Sequence, residues 1–135
     1  MPRKTDSKNP ADWLRIAESD MELLRVGADS ELSHALYRSK LTEVVEKILK
    51  AELIRSGWEL EKTHDLERLR LELEARKSPL EPAAAALCDD LAEAYFSDRY
   101  PGFDLEEPDW PKLRGQLQQV EELLAAVKAA LPSVS

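Results

Sequence analysis

The chain has few of the residues that build disulfides, metal centres and phosphate-binding loops. Its 135 residues include one cysteine, two histidines and four dispersed glycines. A single cysteine excludes an internal disulfide, a cysteine-rich zinc site and an iron–sulfur cluster. The dispersed glycines leave no glycine-rich phosphate loop. We therefore expect no metal and no cofactor, and we interpret Cys88 as an inert packing residue of a helix.

Long apolar runs are missing as well. No stretch approaches the roughly 20 residues that cross a bilayer, and no apolar segment of a signal peptide follows the basic residues 1–8. We expect a cytoplasmic protein that does not contact a membrane, since a lone cysteine suits a reducing compartment. With 27 acidic against 19 basic residues, the net charge is −8. Binding of a nucleotide or RNA would therefore require a local basic patch, because phosphates are neutralised by Lys and Arg.

Helix-forming residues dominate the composition. The sequence has 22 Leu and 16 Ala against 6 Val and 3 Ile, which favours helices over strands. We predict an all-α protein with a single domain over residues 1–135, of which residues 1–8 form a flexible tail. The predicted architecture is an up-down antiparallel bundle of four long helices plus a shorter one, five in total.

Two helices are predicted in the first half of the chain. Asn9 and Pro10 open the first helix, as N-cap and first helical residue, and Gly27 ends it. The second helix begins at Asp29 or Ser30 and closes at Gly57. At about 26 residues it is the longest element, and we expect it to form the spine of the fold.

Three helices are predicted in the second half. Thr63 caps the third helix, with His64 and Asp65 in its first turn. Residues 78–81 form a capping box with proline at the first helical position, and they start a fourth helix that runs to about Asp98. Residues 109–111 start the last helix.

The segment 62–66, with sequence KTHDL, is one candidate binding cluster. An imidazole in the first turn of a helix lies beside unpaired N–H groups, an environment that suits anions. The alternative is that Thr63 and Asp65 only cap the helix, while His64 forms a hydrogen bond with a neighbouring helix. Both interpretations stay open from the sequence.

The segment 98–102, with sequence DRYPG, is a second candidate. The guanidinium of Arg99 matches phosphate or carboxylate, and Tyr100 offers a stacking face and a hydroxyl. The alternative is an ordinary helix end, at which Arg99 complements the helix dipole and Tyr100 packs.

The cations of the long helix form a third group. Lys47, Lys50 and Arg55 would create a basic pocket if the three groups converge in the bundle. The alternative is a salt-bridged face, because Glu43 and Glu46 lie nearby on the same helix. The predicted ligand-binding residues are Lys47, Lys50, His64, Asp65, Arg99 and Tyr100.

Taken together, these segments resemble the HEPN domain, the helical domain named from higher eukaryotes and prokaryotes nucleotide-binding. Residues 12–20 are similar to the opening helix of the family, and residues 45–53 to its EKxLKAxL pattern. Residues 62–66 match its THDL step, and residues 99–101 its RYP motif. The resemblance covers nearly the whole chain.

The resemblance implies a bundle of four to five helices that often forms a homodimer. Bacterial members are frequently paired with a small nucleotidyltransferase, sometimes as a toxin–antitoxin couple. Some members are metal-independent ribonucleases, in which four to six residues separate an Arg from a His. Here eight residues separate Arg25 from His34 and Arg55 from His64, and no His follows Arg99. The catalytic pair is therefore not carried over, and His64 and Arg99 are only candidates.

Three functions follow as hypotheses. We favour a non-enzymatic module that binds a nucleotide or a partner nucleotidyltransferase. The second hypothesis is a metal-independent endoribonuclease toxin, and the third is a structural dimeric scaffold. We expect a homodimer, because the last helix carries a long apolar stripe from Leu113 to Leu131 and the first helix has Leu14 and Leu23 off its main apolar face.

Overall fold

The computed structural model describes residues 7–31, 33–97 and 109–131, with the backbone alone over residues 92–97. This part of the chain folds into five α-helices and contains no strand. The helices are α1 (Pro10–Ser30), α2 (His34–Arg55), α3 (Leu66–Ala75), α4 (Glu81–Ser97) and α5 (Trp110–Ala130). The predicted all-α class and the count of five helices are confirmed, while the up-down order stays a prediction.

Helix α2 forms the spine of the molecule, as predicted. It packs against each of the other four helices, and Leu41, Val44, Ile48 and Leu49 on it are completely buried. A helix with neighbours on several sides cannot present all of its charged residues to water. Accordingly, its buried residues include four charged ones: Arg38, Glu46, Lys50 and Glu52.

Helix α1 begins where the sequence predicts but ends later. The Asn9 side chain accepts a hydrogen bond from the Ala11 backbone N–H at 3.1 Å. The predicted end at Gly27 is wrong, since the helix continues to Ser30. Glu31, with φ of 51°, then donates its backbone N–H to the Gly27 carbonyl. Gly27 therefore lies inside the helix, where a Cβ would be in ordinary van der Waals contact with the Tyr37 ring at 3.4 Å.

The predicted start of α2 at Asp29 or Ser30 is also wrong. Ser33, with φ of 46°, precedes the helix, and 22 residues are helical. The predicted end is correct, since Gly57 has φ of 96° and the Trp58 N–H donates to the Leu53 carbonyl at 2.9 Å. This left-handed turn favours glycine.

The start of α4 differs from the predicted capping box. The Ser78 hydroxyl accepts a hydrogen bond from the Leu80 N–H at 3.2 Å, and the helix begins at Glu81. Pro79 therefore precedes the helix. The Glu81 carboxylate accepts a hydrogen bond from Arg70 of α3 at 3.1 Å, so it ties two helices together.

Helix α5 starts as predicted, with the Asp109 side chain accepting from the Lys112 N–H at 3.0 Å. The apolar stripe of α5 packs inside the molecule, since the core includes Leu113, Val120, Leu124 and Val127. Leu14 of α1 is buried in that core too, whereas Leu23 is 66% exposed. None of the helices in the described ranges is long and apolar enough to span a membrane.

Candidate functional site

The site is built around His64, which lies at the entrance to α3. Thr63 does not cap this helix, and His64 and Asp65 are not in its first turn, so both predictions are corrected. Asp65 is the N-cap, and its side chain accepts hydrogen bonds from the Glu67 and Arg68 N–H groups. The carboxylate of Asp65 therefore occupies the place where an anion would meet the first N–H groups of α3. The Thr63 hydroxyl accepts from the Asp65 N–H at 3.1 Å and shapes the turn.

A carboxylate from α2 holds the His64 ring. The His64 Nδ1 atom lies 2.8 Å from Glu46 Oε1, and the Lys50 Nζ atom lies 3.0 Å from Glu46 Oε2. We call this arrangement the His64–Glu46–Lys50 chain. Side-chain exposure is 67% for His64 and 11% for Glu46, and only 4% for Lys50. An exposed imidazole is thus anchored to a buried ion pair.

The contact with Glu46 also fixes the neutral tautomer of His64. A carboxylate accepts hydrogen bonds and cannot donate one when ionised, so the ring proton of neutral His64 resides on Nδ1. The lone pair is then on Nε2, the ring nitrogen opposite Glu46. Such an imidazole can accept a hydrogen bond from a hydroxyl, and once protonated it can donate one to a phosphate.

At the Lys50 end, the His64–Glu46–Lys50 chain packs against Trp13 of α1. The Lys50 Nζ atom lies 5.4 Å from the centre of the Trp13 ring, a cation–π distance. The Trp13 indole N–H donates to the Ser7 carbonyl at 2.8 Å, and the Ser7 hydroxyl donates to Asp12 at 2.7 Å. The segment before α1 therefore holds the Trp13 indole, whose ring lies against Lys50.

The other predicted cations are also neutralised by carboxylates. The Lys47 Nζ atom lies 3.3 Å from an oxygen of Asp20 on α1. Arg55 binds both oxygens of Glu52, at 2.9 and 2.6 Å, and this hydrogen bonding raises the pKa of Arg55. The structure thus joins Lys50 to His64, and it directs Lys47 towards α1 and Arg55 towards Glu52.

Two predicted site residues cannot be placed. Arg99 and Tyr100, with the rest of the segment 98–102, lie outside the described residues. Convergence of that segment with His64 therefore stays a prediction.

Two other side chains that could carry chemistry, His34 and Cys88, have structural roles. His34 Nε2 accepts a hydrogen bond from the Asp109 N–H at 3.2 Å, and its ring meets Trp110 edge-on at 5.2 Å, so it supports the start of α5. Cys88 is completely buried, and burial raises the pKa of its thiol to about 12. Within the described ranges, no three His, Cys, Asp or Glu side chains are placed to hold a metal ion.

Sequence reasoning missed the importance of Glu46 and Trp13. From the sequence, Glu46 is only one partner in a salt-bridged face of the long helix, and the spacing of four residues to Lys50 fits that interpretation. The available clue was the length of α2, because a helix surrounded by others must bury some of its charges. The contact of Glu46 with His64, 18 residues away, follows from tertiary packing and has no local pattern.

The fold and the site define an all-helical protein with an exposed histidine anchored to a buried ion pair. The family model described as HEPN domain matches residues 10–132, and the chain belongs to this family. No curated protein and no solved structure was found to match the chain.

Proposed function

We propose that this HEPN domain protein binds a nucleotide, and that the His64 ring contacts it directly. The observation that carries the proposal is the His64–Glu46–Lys50 chain, which holds an exposed imidazole in one orientation. The Nε2 atom of neutral His64 would accept a hydrogen bond from a ribose hydroxyl. Protonated His64 would instead donate to a phosphate.

The roles of the other predicted residues change with their surroundings. Lys50 is a positioning residue in this proposal, since its ammonium is buried against Glu46 and Trp13 and acts on the ligand through His64. Asp65 fixes the start of α3 and thereby the place of His64. Arg99 remains the proposed phosphate ligand and Tyr100 the proposed stacking residue.

The nucleotide can be free, or it can be carried by a small nucleotidyltransferase that forms a toxin–antitoxin pair with this chain. Membership of the HEPN family supports this part of the proposal. The net charge of −8 supports it as well, because an acidic chain repels long nucleic acids, whereas a single nucleotide needs only a local site.

A stabilisation assay with ATP as the probe tests the proposal. Since a ligand that binds only the folded state stabilises it, ATP at about one hundred times its Kd should add about 2.7 kcal/mol. We expect ATP to raise the Tm of the wild type and of His34→Ala, and to have no effect on His64→Ala. His34→Ala is the matched control, because it removes the same side chain from a structural position. No shift of the wild type at millimolar ATP would contradict nucleotide binding, and an equal shift in His64→Ala would contradict the role of His64.

A second function is favoured by the contact between Glu46 and His64. An imidazole whose Nδ1 is held by a carboxylate is a suitable general base for a ribose hydroxyl, so the chain would be a metal-independent ribonuclease. The spacing of eight residues between Arg55 and His64 argues against the arrangement of the known HEPN ribonucleases. Cleavage of RNA in the presence of a chelator, retained in His34→Ala and lost in folded His64→Ala, would establish this function over simple binding.

A further inference from the structure

A cavity lies beside the end of α2, and we call it the Trp58 cavity. It has a volume of about 490 Å³, which is within the range of cavities that hold small molecules. Its apolar lining comes from Ile54, Trp58 and Leu60. Ile54 and Leu60 are partly buried against the core, and Trp58 is 7% exposed. The Trp58 cavity therefore offers the aromatic and aliphatic surface on which a flat ring packs.

The charged residues of the cavity are two lysines and one glutamate. Lys8, which precedes α1, lines the cavity together with Lys62 and Glu59 of the connection to α3. All three side chains belong to exposed residues, so a ligand can reach them from the solvent. The charge of this lining is net positive, although the whole chain has a net charge of −8. An anionic group is therefore attracted here more than to most of the surface.

The cavity lies close to the His64–Glu46–Lys50 chain. Glu46, Lys50 and Ile54 follow one another at spacings of four residues, which places them on one side of α2. At 1.5 Å per residue, Ile54 is about 12 Å along the helix axis from Glu46, the residue that holds His64. The connection to α3 gives a second link, because Lys62 precedes His64 by two residues, which span at most about 7 Å. A nucleotide whose phosphates extend away from its base covers such a distance.

From the lining, the charge and the position together, we infer that the Trp58 cavity is the base subsite of the nucleotide that His64 contacts. The inference rests on the nucleotide binding proposed above. The base packs against Trp58 inside the cavity, and the ribose lies towards His64. The ammonium groups of Lys8 and Lys62 attract the phosphates.

The remaining polar groups fit the same assignment. The carboxylate of Glu59 can accept a hydrogen bond from the amino group of a base such as adenine. A base also has two faces, so packing on Trp58 leaves the other face for Tyr100, the proposed stacking residue.

Titration calorimetry of the full chain with ATP and with inorganic triphosphate tests the base subsite. The wild type should bind ATP at least about tenfold more tightly than inorganic triphosphate, because stacking of a base on an aromatic side chain supplies such a factor. Trp58→Leu should lose this preference, and Trp58→Phe should keep most of it. The matched control is Trp110→Leu at the start of α5, where Trp110 is 9% exposed. This control should leave the preference for ATP unchanged.

Charge reversal of the lysines gives a second readout. Lys8→Glu and Lys62→Glu should each weaken the binding of ATP and of inorganic triphosphate by a similar factor, since the lysines act on the phosphates that both molecules carry. The loss should be smaller at high salt, because exposed charges are screened. Lys128→Glu on α5, a side chain 53% exposed, is the matched control and should leave both Kd values unchanged.

Two results would overturn the base subsite while nucleotide binding stands. They are a wild type that binds inorganic triphosphate as tightly as ATP, and a preference for ATP that survives Trp58→Leu. If circular dichroism shows that Trp58→Leu does not fold, Leu60→Trp repeats the test, because it fills the cavity without removing a buried side chain. In either case ATP would still bind the wild type and fail to bind folded His64→Ala. Absence of ATP binding to the wild type at millimolar concentration would overturn the proposed function and the subsite together.

Discussion

Removal of the Glu46 carboxylate should destabilise the fold strongly. In Glu46→Ala the Lys50 ammonium, whose side chain is 4% exposed, keeps the Trp13 ring at 5.4 Å but loses its counter-ion. Breaking a buried ion pair by removing one partner costs about 3–5 kcal/mol, because the other charge stays buried and uncompensated. For a chain of this size, that corresponds to a loss of roughly 10–20 °C in Tm.

A double-mutant cycle isolates the interaction of the pair. Glu46→Ala, Lys50→Met and the double variant are compared by urea unfolding, followed by tryptophan fluorescence. Lys50→Met keeps most of the side-chain volume, so the double variant should be more stable than the sum of the single losses predicts, by about 2 kcal/mol or more. Lys40→Ala is the matched control. It also removes a cation from α2, but the Lys40 side chain is 36% exposed, and an exposed ion pair contributes less than about 1 kcal/mol.

The reasoning fails if Glu46→Ala costs no more than Lys40→Ala, or if the losses of the two single variants simply add. Either result would mean that water reaches Lys50 and that Glu46 does not hold a buried charge.

Four further predictions concern the supporting structure. Asp65→Ala should destabilise the protein by about 1 kcal/mol through loss of the α3 cap, whereas Asp65→Asn should restore most of this in urea unfolding. Tyr37→Phe should cost about 1 kcal/mol, because the Tyr37 hydroxyl donates to the buried Leu24 carbonyl at 2.7 Å. Burial raises the pKa values of Tyr37 and Cys88 to about 12, so the folded state holds protons that the unfolded state releases above about pH 9. The free energy of unfolding should therefore be unchanged below pH 9 and fall towards pH 12, with a smaller fall in Tyr37→Phe. The buried thiol of Cys88 should react with iodoacetamide at pH 8 only after the protein is unfolded.

Much of the fold follows from local chemistry that the sequence displays. Asn9 and Asp109 cap α1 and α5 because their short side chains reach backbone N–H groups two or three residues on. Gly57 ends α2 because its φ of 96° is accessible to glycine. A single local signal can also mislead. Gly27 is typical of a helix end, yet α1 continues through it to Ser30 and is ended by Glu31, whose backbone is left-handed and donates its N–H to the Gly27 carbonyl.

The site was predictable only in part, for a related reason. His64 stands out as one of two histidines, and its place before α3 could be inferred from the neighbouring Thr63 and Asp65. Which of Thr63 and Asp65 is the N-cap could not be inferred, because both residue types are good N-caps. The burial of Lys50 and its link to His64 through Glu46 depend on how α2, α3 and α1 meet, and the spacing of residues within one helix does not contain that information.

The most direct test of the proposed function is a titration of ATP followed by ¹⁵N NMR of the histidine side chains. The protein has two histidines, so His34 serves as an internal reference in the same sample. Before ATP is added, neutral His64 should show the Nδ1–H tautomer that the Glu46 contact requires. We expect ATP to shift the ring signals of His64 in a saturable manner, with smaller effects on His34. Shifts confined to His34, or no shift of either ring at millimolar ATP, would contradict the account.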